Sequence, residues 1–291
     1  MTESSELLVR PALYVVATPL GNLGDLSARA LHVLRHVDLI AAEDTRHSSR
    51  LTQHFGIGVK MVSYHDYNAP GREQALLRTL EAGKAVALIS DAGTPLISDP
   101  GYRLVRCARE AGVRVIPVPG PSALTAALSV AGLPTDRFAF EGFPPARATG
   151  RRQLFQDIVG YTGTLVFYES PHRISESVAD MAAVFGDERR AVICRELTKT
   201  WETIHEDALG ALVDWLNADD NHRRGEFVVL VQGAAPVSGE GLDAEQLRVL
   251  NVLMRELPLK RAAAVAAKLT GGKKNAFYRQ GLELGGHNAD N

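Results

Sequence analysis

The sequence is poor in cysteine and has no long apolar run. Only two of its 291 residues are cysteine, which excludes a disulfide framework and a zinc site built from cysteines. No run approaches the roughly 18 apolar residues of a membrane span, and the first residues, MTESSELLVRP, lack the apolar core of a signal peptide. We therefore expect a cytoplasmic protein without a membrane partner.

The sequence also lacks two common nucleotide-binding patterns and any strong excess of charge. Neither G-x-G-x-x-G nor a P-loop ending in Gly-Lys-Ser or Gly-Lys-Thr occurs. The 32 lysines and arginines are balanced by 34 acids, so the chain does not coat nucleic acid by bulk charge. We expect that DNA is not a partner and that any RNA contact is made by a local group of basic residues.

What the sequence does contain is a regular alternation of apolar runs and helical patterns. Strands are predicted at residues 13–17, 38–42, 61–65, 85–90 and 113–118, with helices between them at 27–36, 45–54, 71–83 and 101–112. This order predicts an α/β domain with a largely parallel sheet, covered by helices on both faces.

The pattern changes after residue 132. Five more strands are predicted at 138–143, 163–169, 191–197, 202–206 and 225–233, and very short links between some of them indicate a mixed sheet. The last part reads as three helices broken at Pro258 and at GGKKN. We predict a flexible N-terminal tail (1–11), an N-terminal α/β domain (12–132), a second α/β domain (133–235), a linker, and a C-terminal helical domain (242–291).

Ligands bind outside the carboxyl ends of the strands in an open α/β sheet. Four loops that follow strands are rich in small, turn-forming or charged residues, at 17–27, 42–51, 90–101 and 117–124. In SDAGTPLISDPG (90–101), Asp91 is the first polar residue after an apolar strand, and Ala92, Gly93 and Thr94 allow a ligand to approach the backbone closely. The four loops together predict a small-molecule pocket.

Charged residues at two strand ends are candidates for chemistry. In AEDTRHSSRL, Asp44 could cap the next helix, or Glu43 and Asp44 beside Arg46 could handle a proton or position a phosphate. Glu169 follows another apolar strand directly. No second histidine stands at metal-binding spacing from His172, so we expect no metal.

Seven motifs in this order resemble those of the tetrapyrrole methylase superfamily of S-adenosylmethionine-dependent methyltransferases. They are TPLGNLGDLS, AEDTRHSSRL, SDAGTPLISDPG, PVPGPSAL, GTLVFYESPHR, CRELTK and GEFVVLV, and the similarity extends over residues 12–233. The predicted C-terminal helices resemble the helical tail of one group within this superfamily. Members of that group methylate a cytidine ribose 2′-hydroxyl in small-subunit ribosomal RNA.

The resemblance implies two α/β domains with S-adenosyl-L-methionine in the cleft between them, small-subunit rRNA as the substrate, and a homodimer. It also implies the residues that bind the methyl donor. These are Leu20, Gly21, Asp91, Ala92, Gly93, Thr94, Ser122, Ala123, Phe167, Tyr168, Leu197 and Glu226.

A ribose hydroxyl is a poor nucleophile at neutral pH, so a base should take its proton during transfer. From position alone, the candidate catalytic residues are Glu43, Asp44, Arg46 and Glu169, with His65 and Lys199 ranked after them. We expect Asp91 to position the ligand and Asp99 to have a local structural role.

RNA would be held by basic groups outside the donor pocket. In GGKKNAFYRQ, cations flank an aromatic side chain near the start of a helix, which suits phosphate contact and base stacking. A solvated helical cap is the alternative for this segment. The predicted RNA-binding residues are Arg151, Arg152, Arg173, Lys199, Lys273, Lys274, Tyr278 and Arg279.

Two other functions fit the same motifs. One is a methyltransferase that acts on a tetrapyrrole or another small molecule, although such an enzyme has no need for a Lys-Tyr-Arg segment after its α/β domains. The other is a ribosome assembly factor that binds the methyl donor without transferring its methyl group.

Overall fold

A computed structural model describes residues 8–65, 69–235, 242 and 244–286. The chain divides into two compact units. The first consists of Met1–Gln156 and Gly163–Gln232, and the second of Asp157–Thr162 and Gly233–Asn291. Among the described residues, no helix has the length and apolar character needed to cross a membrane.

The first sheet of the larger unit is entirely parallel, as the alternating pattern predicted. Its strands are β1 (Ala12–Val16), β2 (Leu39–Ala42), β3 (Met61–Ser63), β4 (Ala85–Ile89) and β5 (Arg114–Val118), in the order β3-β2-β4-β1-β5. Every residue of β4 is buried. This explains why the central strand has an unbroken apolar sequence rather than an alternating one.

Five helices follow the strands of this sheet. They are α1 (Ala28–His36), α2 (Thr45–His54), α3 (Ala69–Glu81), α4 (Tyr102–Glu110) and α5 (Ala123–Val130). The apolar side of α1 belongs to a core cluster on one face of the sheet, whereas α3 and α4 contribute to a cluster on the other face. Because each helix except α5 returns the chain to another strand of the same sheet, the loops before the helices collect at the carboxyl ends of the strands.

The second sheet, in the same unit, is mixed, again as predicted. Its strands are β6 (Phe138–Gly142), β7 (Thr164–Glu169), β8 (Arg190–Arg195), β9 (Thr203–Ala208) and β10 (Phe227–Val231), in the order β6-β7-β10-β8-β9. Only β6 and β7 pair in parallel. Three helices complete this part: α6 (Ala148–Ile158), α7 (Ile174–Phe185) and α8 (Leu209–Ala218). Helix α5 packs against this sheet through Ala127 and Leu128.

The smaller unit contains three helices, α9 (Ala244–Glu256), α10 (Leu259–Thr270) and α11 (Lys274–Gly286). Its core includes Leu250, Ala263 and Phe277. Helix α10 ends at Gly271, whose φ of +79° is a left-handed conformation that glycine adopts without strain. Both predicted breaks, at Pro258 and at GGKKN, are confirmed.

The predicted domain boundaries at residues 132 and 235 stay predictions. Most of the predicted linker falls at 236–241, outside the described residues, as do residues 1–7 of the predicted N-terminal tail. The remainder of that tail contacts the first sheet, since Leu8 and Val9 pack against its core cluster and Arg10 forms an ion pair with Asp38 at 2.9 Å.

Candidate active site

A cavity of about 400 Å³ lies within the larger unit, between residues of the two sheets. This volume is in the range typical of sites for cofactors and drug-sized ligands. From the first part of the chain the cavity is lined by Leu20, Glu43, Asp91, Ala92, Gly93, Thr94, Ile97, Ser98, Asp99, Ser122 and Ala123. From the second part it is lined by Phe143, Tyr168, Glu169, Ser170, Pro171, Cys194, Leu197, Glu226, Phe227 and Val228.

The loop after β4 is fastened to two other loops by hydrogen bonds. Thr18 N donates to Gly93 O at 2.8 Å, and Gly93 N donates to Thr18 O at 3.0 Å. Thr94 Oγ1 donates to Pro121 O at 2.9 Å. These bonds hold the loops after β1, β4 and β5 in one rigid wall, which is a favourable base for a ligand.

Three carboxylates, those of Glu43, Asp91 and Asp99, lie on this wall of the cavity. The backbone N–H of Asp44 donates to Asp91 Oδ1 at 3.1 Å, so Asp91 is held in place from the loop after β2. Burial raises the pKa of Asp99 to about 7, the negative charges of Glu43 and Asp91 add to this rise, and a hydrogen bond with Ser90 opposes it. Ionised Asp99 adds a negative charge to the cavity, so the cavity favours a cation more strongly above pH 7 than below it.

The structure corrects the prediction for Asp99. The sequence favoured a local structural role because Asp99 stands just before a proline at the end of the loop. Instead, the loop turns back at Leu96 (φ +74°) and Ser98 (φ +65°) and brings Asp99 to the cavity. Non-glycine residues with such φ values cost of order 1–3 kcal/mol each and cluster at functional sites.

The opposite wall is built around Tyr168. Its hydroxyl accepts a hydrogen bond from Leu124 N at 3.0 Å, which fixes the first turn of α5 against β7. The ring of Phe143 lies edge-on to the Tyr168 ring, with centroids 5.7 Å apart, and Phe143 remains 51% exposed. An exposed aromatic face in a cavity is suited to stacking against a planar ligand.

Glu169 ends β7 and is buried. Its Oε1 accepts from Ser170 N at 2.7 Å and pairs with Arg173 Nη2 at 3.1 Å. Its Oε2 is also buried, and no partner for it is found among the described residues. An unsatisfied buried carboxylate oxygen is costly, so Oε2 favours a hydrogen-bond donor. Since the Glu169 side chain has no accessible surface, a ligand hydroxyl reaches this atom only after the side chains around it move.

A second strained loop, at residues 196–199, borders the cavity from the other sheet. Glu196 and Thr198 have φ values of +53° and +66°. Lys199 Nζ binds Glu196 Oε1 at 2.8 Å and Glu226 Oε2 at 2.9 Å. Burial disfavours the charge of Lys199, but these two carboxylates outweigh burial and raise its pKa. A side chain at Gly21 would place its Cβ 2.3 Å from Lys199 Cγ, so the first loop packs directly on this lysine.

The predicted donor-binding residues line the cavity with two exceptions, Gly21 and Phe167. Gly21 lies against the Lys199 side chain instead. Phe167 is fully buried, and its ring packs on Phe155 of α6 with centroids 5.5 Å apart. Side chains alternate between the two faces of a strand, so Phe167 points away from the side that its neighbour Tyr168 occupies.

The predicted catalytic residues separate into two groups. Glu43 and Glu169 line the cavity, whereas Asp44 and Arg46 do not. Asp44 caps α2 by accepting from Arg46 N at 2.8 Å, and its carboxylate pairs with the Arg46 guanidinium at 2.7 Å. These hydrogen bonds hold the pKa of Asp44 well below its usual range, which makes it a poor base. Of the two alternatives for Asp44, the structure favours helix capping.

The RNA-binding prediction is wrong for Arg151. Its side chain is 2% exposed and pairs with the buried Asp180 at 2.6 Å, so its guanidinium cannot reach a polymer at the surface. Arg173 and Lys199 are also held in ion pairs with carboxylates, and Arg152 Nε binds Asp180 Oδ1 at 2.6 Å while remaining 58% exposed. In the smaller unit, the predicted RNA-binding positions Lys273, Lys274, Tyr278 and Arg279 are all exposed.

Several cavity residues have no signal in the sequence. Phe143, Cys194 and Val228 belong to ordinary apolar segments, and they face the cavity only because strands of the second sheet lie beside the first. Burial raises the pKa of Cys194 to about 12, so its thiol is neutral at physiological pH and unsuited to act as a nucleophile. In the described part of the chain, no three or more His, Cys, Asp or Glu side chains are arranged so that they could hold a metal ion.

Two family models match this chain. The first is described as Tetrapyrrole (Corrin/Porphyrin) Methylases and matches residues 12–213. The second is described as RsmI C-terminal HTH domain and matches residues 240–285. The first match covers six of the seven motifs, all except GEFVVLV, and the second covers the three C-terminal helices up to residue 285.

The chain is similar to curated proteins over nearly their full length. It is 58% identical to the Ribosomal RNA small subunit methyltransferase I of Pseudomonas aeruginosa over 275 residues, which are 94% of this chain and 98% of that protein. It is 54% identical to the protein of the same name from Escherichia coli O157:H7, over 94% of this chain and 96% of that protein.

Solved structures share the fold at much lower identity. A cobalt precorrin-4 methyltransferase of cobalamin biosynthesis superposes with a TM-score of 0.57 and 15% identity, covering 76% of this chain and 95% of that one. A diphthine synthase superposes with a TM-score of 0.59 and 17% identity, covering 76% and 90% of the two chains. At these sequence identities, the comparison shows a shared fold and nothing more.

Proposed function

The chain belongs to the tetrapyrrole methylase family, and from this premise we propose that it methylates a cytidine ribose 2′-hydroxyl in small-subunit ribosomal RNA. It is a methyltransferase that uses S-adenosyl-L-methionine. The observation that carries the proposal is the joint presence, in one chain, of the donor-binding fold and the C-terminal helical module of the rRNA methyltransferases. By the same reasoning we propose a cytoplasmic homodimer.

The residues of the cavity fit S-adenosyl-L-methionine. The donor is positively charged at its sulfonium, and it supplies an electrophilic methyl group when bound. The carboxylates of Glu43, Asp91 and Asp99 complement this charge, and Gly93 and Ala92 leave the floor of the cavity without large side chains. The exposed ring of Phe143 offers a surface for a purine base. We assign donor binding to the cavity-lining residues that the resemblance implied, with Asp99 and Phe143 added.

Glu169 is the residue that we assign to proton transfer. Its Oε1 is held by Ser170 and Arg173, so the carboxylate is fixed in orientation and Oε2 is left without a partner in the described structure. Once the side chains that cover it move on substrate binding, Oε2 would accept the proton of the ribose hydroxyl as the oxygen attacks. Glu43 is the other predicted catalytic residue whose carboxylate lines the cavity. We assign it to neutralising the positive charge of the donor.

Asp99 gives donor binding a characteristic dependence on pH. A cation binds the ionised carboxylate better than the protonated acid, so donor affinity should rise as pH increases through about 7. From pH 6 to pH 8 we expect an increase of about 10-fold for this group alone. Calorimetric titration of the wild-type protein and of Asp99→Asn, each at both pH values, measures it.

The comparison between these two proteins isolates Asp99. The amino group of the donor titrates alike in both titrations, so only the difference between them reports the carboxylate. Asp99→Asn should bind more weakly at pH 8 and should lose the additional dependence on pH. Equal pH dependence in the two proteins would contradict the assignment.

The smaller unit supplies groups suited to RNA. Helices α10 and α11 are joined by a short turn, and Lys273 and Lys274 stand at that turn with Tyr278 one helical turn further on. Both lysines are exposed, and Tyr278 is 41% exposed. Lysines at a helix start can contact phosphates while a nearby aromatic ring stacks on a base.

Lys273→Ala combined with Lys274→Ala is expected to weaken rRNA binding about 10-fold and to leave donor affinity unchanged, because two phosphate contacts are lost outside the donor cavity. Binding of small-subunit rRNA at several salt concentrations checks this. Lys260→Ala combined with Arg261→Ala removes two exposed cations from the other end of α10 and serves as the matched control. If the two double variants bound rRNA equally, the assignment to the turn would be wrong.

One experiment tests the proposed function. Small ribosomal subunits that lack the ribose modification are incubated with the protein and with donor carrying a labelled methyl group, and the labelled nucleotide is identified after nuclease digestion. Label on a cytidine 2′-oxygen supports the proposal. Donor binding without label in rRNA would refute it in favour of a non-catalytic assembly factor, and transfer to a tetrapyrrole instead would point to a small-molecule enzyme.

A further inference from the structure

Helices α1 and α2 are strongly basic in a chain that carries a slight net negative charge. They have 9 and 10 residues, and neither contains an aspartate or a glutamate. Over the whole chain, by contrast, 34 acids accompany 32 lysines and arginines. The two helices carry Arg29, His32, Arg35, His36, Arg46, His47, Arg50 and His54. We call these eight side chains the α1–α2 surface.

All eight side chains of the α1–α2 surface are exposed. The helices bury their other sides, α1 through residues such as Val33 and Leu34 and α2 through Leu51 and Thr52. Arg35 Nη2 donates to Phe55 O, the C-cap of α2, at 2.7 Å, which ties the end of one helix to the end of the other. The basic residues therefore lie together on the solvent-facing sides of α1 and α2, which cover one face of the first sheet.

The charge of this surface is largely uncompensated. Arg46 pairs with Asp44 but is still 90% exposed. For Arg50, no carboxylate partner is found within the described parts of the chain. This contrasts with Arg151, Arg173 and Lys199, whose charges are matched by carboxylates. An exposed cation without a partner is available to a polyanion.

The α1–α2 surface starts at the edge of the donor cavity. Helix α2 begins at Thr45, two positions after Glu43, and α1 begins at Ala28, after the loop that contains Leu20. Both Glu43 and Leu20 line the cavity. If the strand that carries the target nucleotide leaves the cavity at this edge, its next phosphates would meet the first turns of the two helices.

We propose that the α1–α2 surface binds the sugar-phosphate backbone of the rRNA strand that flanks the target nucleotide. The inference rests on the proposed function, since it takes rRNA as the substrate of the cavity. Arginine forks can bind phosphate oxygens with two hydrogen bonds, and histidine donates a hydrogen bond in either protonation state. Such contacts position the strand without reading its sequence.

Charge reversal on both helices tests this surface. Arg29→Glu combined with Arg50→Glu should weaken binding of small-subunit rRNA by more than about 10-fold and should lower the slope of log affinity against log salt by about one to two. Donor affinity and the melting temperature should stay close to wild type. Affinities are measured by titration of the full-length protein with the rRNA at several salt concentrations.

Arg78→Glu combined with Arg109→Glu is the matched control. Both residues are exposed in the last turns of α3 and α4, on the other face of the sheet, and the net charge changes by the same amount. Changing the net charge affects both double variants alike. Apart from this shared effect, the control variant should bind rRNA with an affinity within about twofold of wild type. Equal losses in the two double variants would overturn the inference, as would no loss in either.

The outcomes also separate this inference from the function on which it rests. If the wild-type protein methylates rRNA and the α1–α2 variant does so with unchanged affinity and unchanged salt slope, only the surface assignment fails. If the wild-type protein leaves rRNA unlabelled, the proposed function fails and the surface assignment is overturned with it.

Discussion

Gly93→Val is expected to lower the affinity for S-adenosyl-L-methionine by at least about 100-fold, which corresponds to about 3 kcal/mol. Gly93 has a φ of +85°, and a Cβ at this position would lie 3.2 Å from Leu20 Cδ2. A β-branched residue at positive φ is strained by of order 1–3 kcal/mol. The valine methyl groups would also occupy the floor of the cavity. Calorimetric titration with the donor measures the loss.

A matched glycine separates the filled cavity from the strained backbone. Gly112 has a φ of +71° and no atom within 4 Å of an added Cβ. Gly112→Val should therefore lower the melting temperature while leaving donor affinity unchanged. Gly93→Ala, which adds the strain and only one methyl group, should fall between wild type and Gly93→Val. Donor binding by Gly93→Val at the wild-type level would show that the cavity is not the donor site.

Glu169→Gln is expected to reduce the rate of methyl transfer by about 10²–10⁴-fold, the usual contribution of a general base. Glutamine keeps the size of the side chain and can still accept from Ser170, but it cannot take up a proton from the ribose hydroxyl. Donor affinity should change by only a few-fold, because we assign the positive charge of the donor to Glu43, Asp91 and Asp99. Single-turnover methylation of rRNA with saturating donor measures the chemical step.

Two further measurements distinguish the loss of a general base from a structural disruption of the site. Glu176→Gln changes an exposed glutamate of α7 whose side chain is 73% accessible, and it should methylate at the wild-type rate. Donor affinity of Glu169→Gln, measured by the same calorimetric titration, should also stay within a few-fold of wild type, which a general disruption of the site would not allow. A variant with normal rates would return the role of base to Glu43.

The two substitutions address different halves of the catalytic task. Gly93 lies in the wall formed by loops of the parallel sheet, and Glu169 ends a strand of the mixed sheet. Loss of donor binding in one variant and loss of transfer in the other would therefore assign binding to the first wall and proton handling to the second. Loss of donor binding in both would mean that the two walls form the donor site together.

Properties that depend on neighbouring residues in the chain were predictable from the sequence. The alternation of apolar runs with helical periods predicted the parallel sheet, the mixed sheet and the three C-terminal helices, because burial of a strand or helix face requires that local pattern. The small residues around Gly93 predicted a close backbone approach for a similarly local reason. Asp91, Ser122 and Tyr168 followed from motifs that occupy single strand ends.

Only the tertiary structure decided which side chains meet. Arg151 has the sequence environment of a surface arginine, yet Asp180, 29 positions away, removes it from solvent. Asp99 reaches the cavity through two strained residues, and its pKa is shaped by burial and by Glu43 and Asp91 from other parts of the chain. Burial, ion pairing and the side of a strand that faces a cavity are set by contacts between distant segments, and no local pattern encodes them.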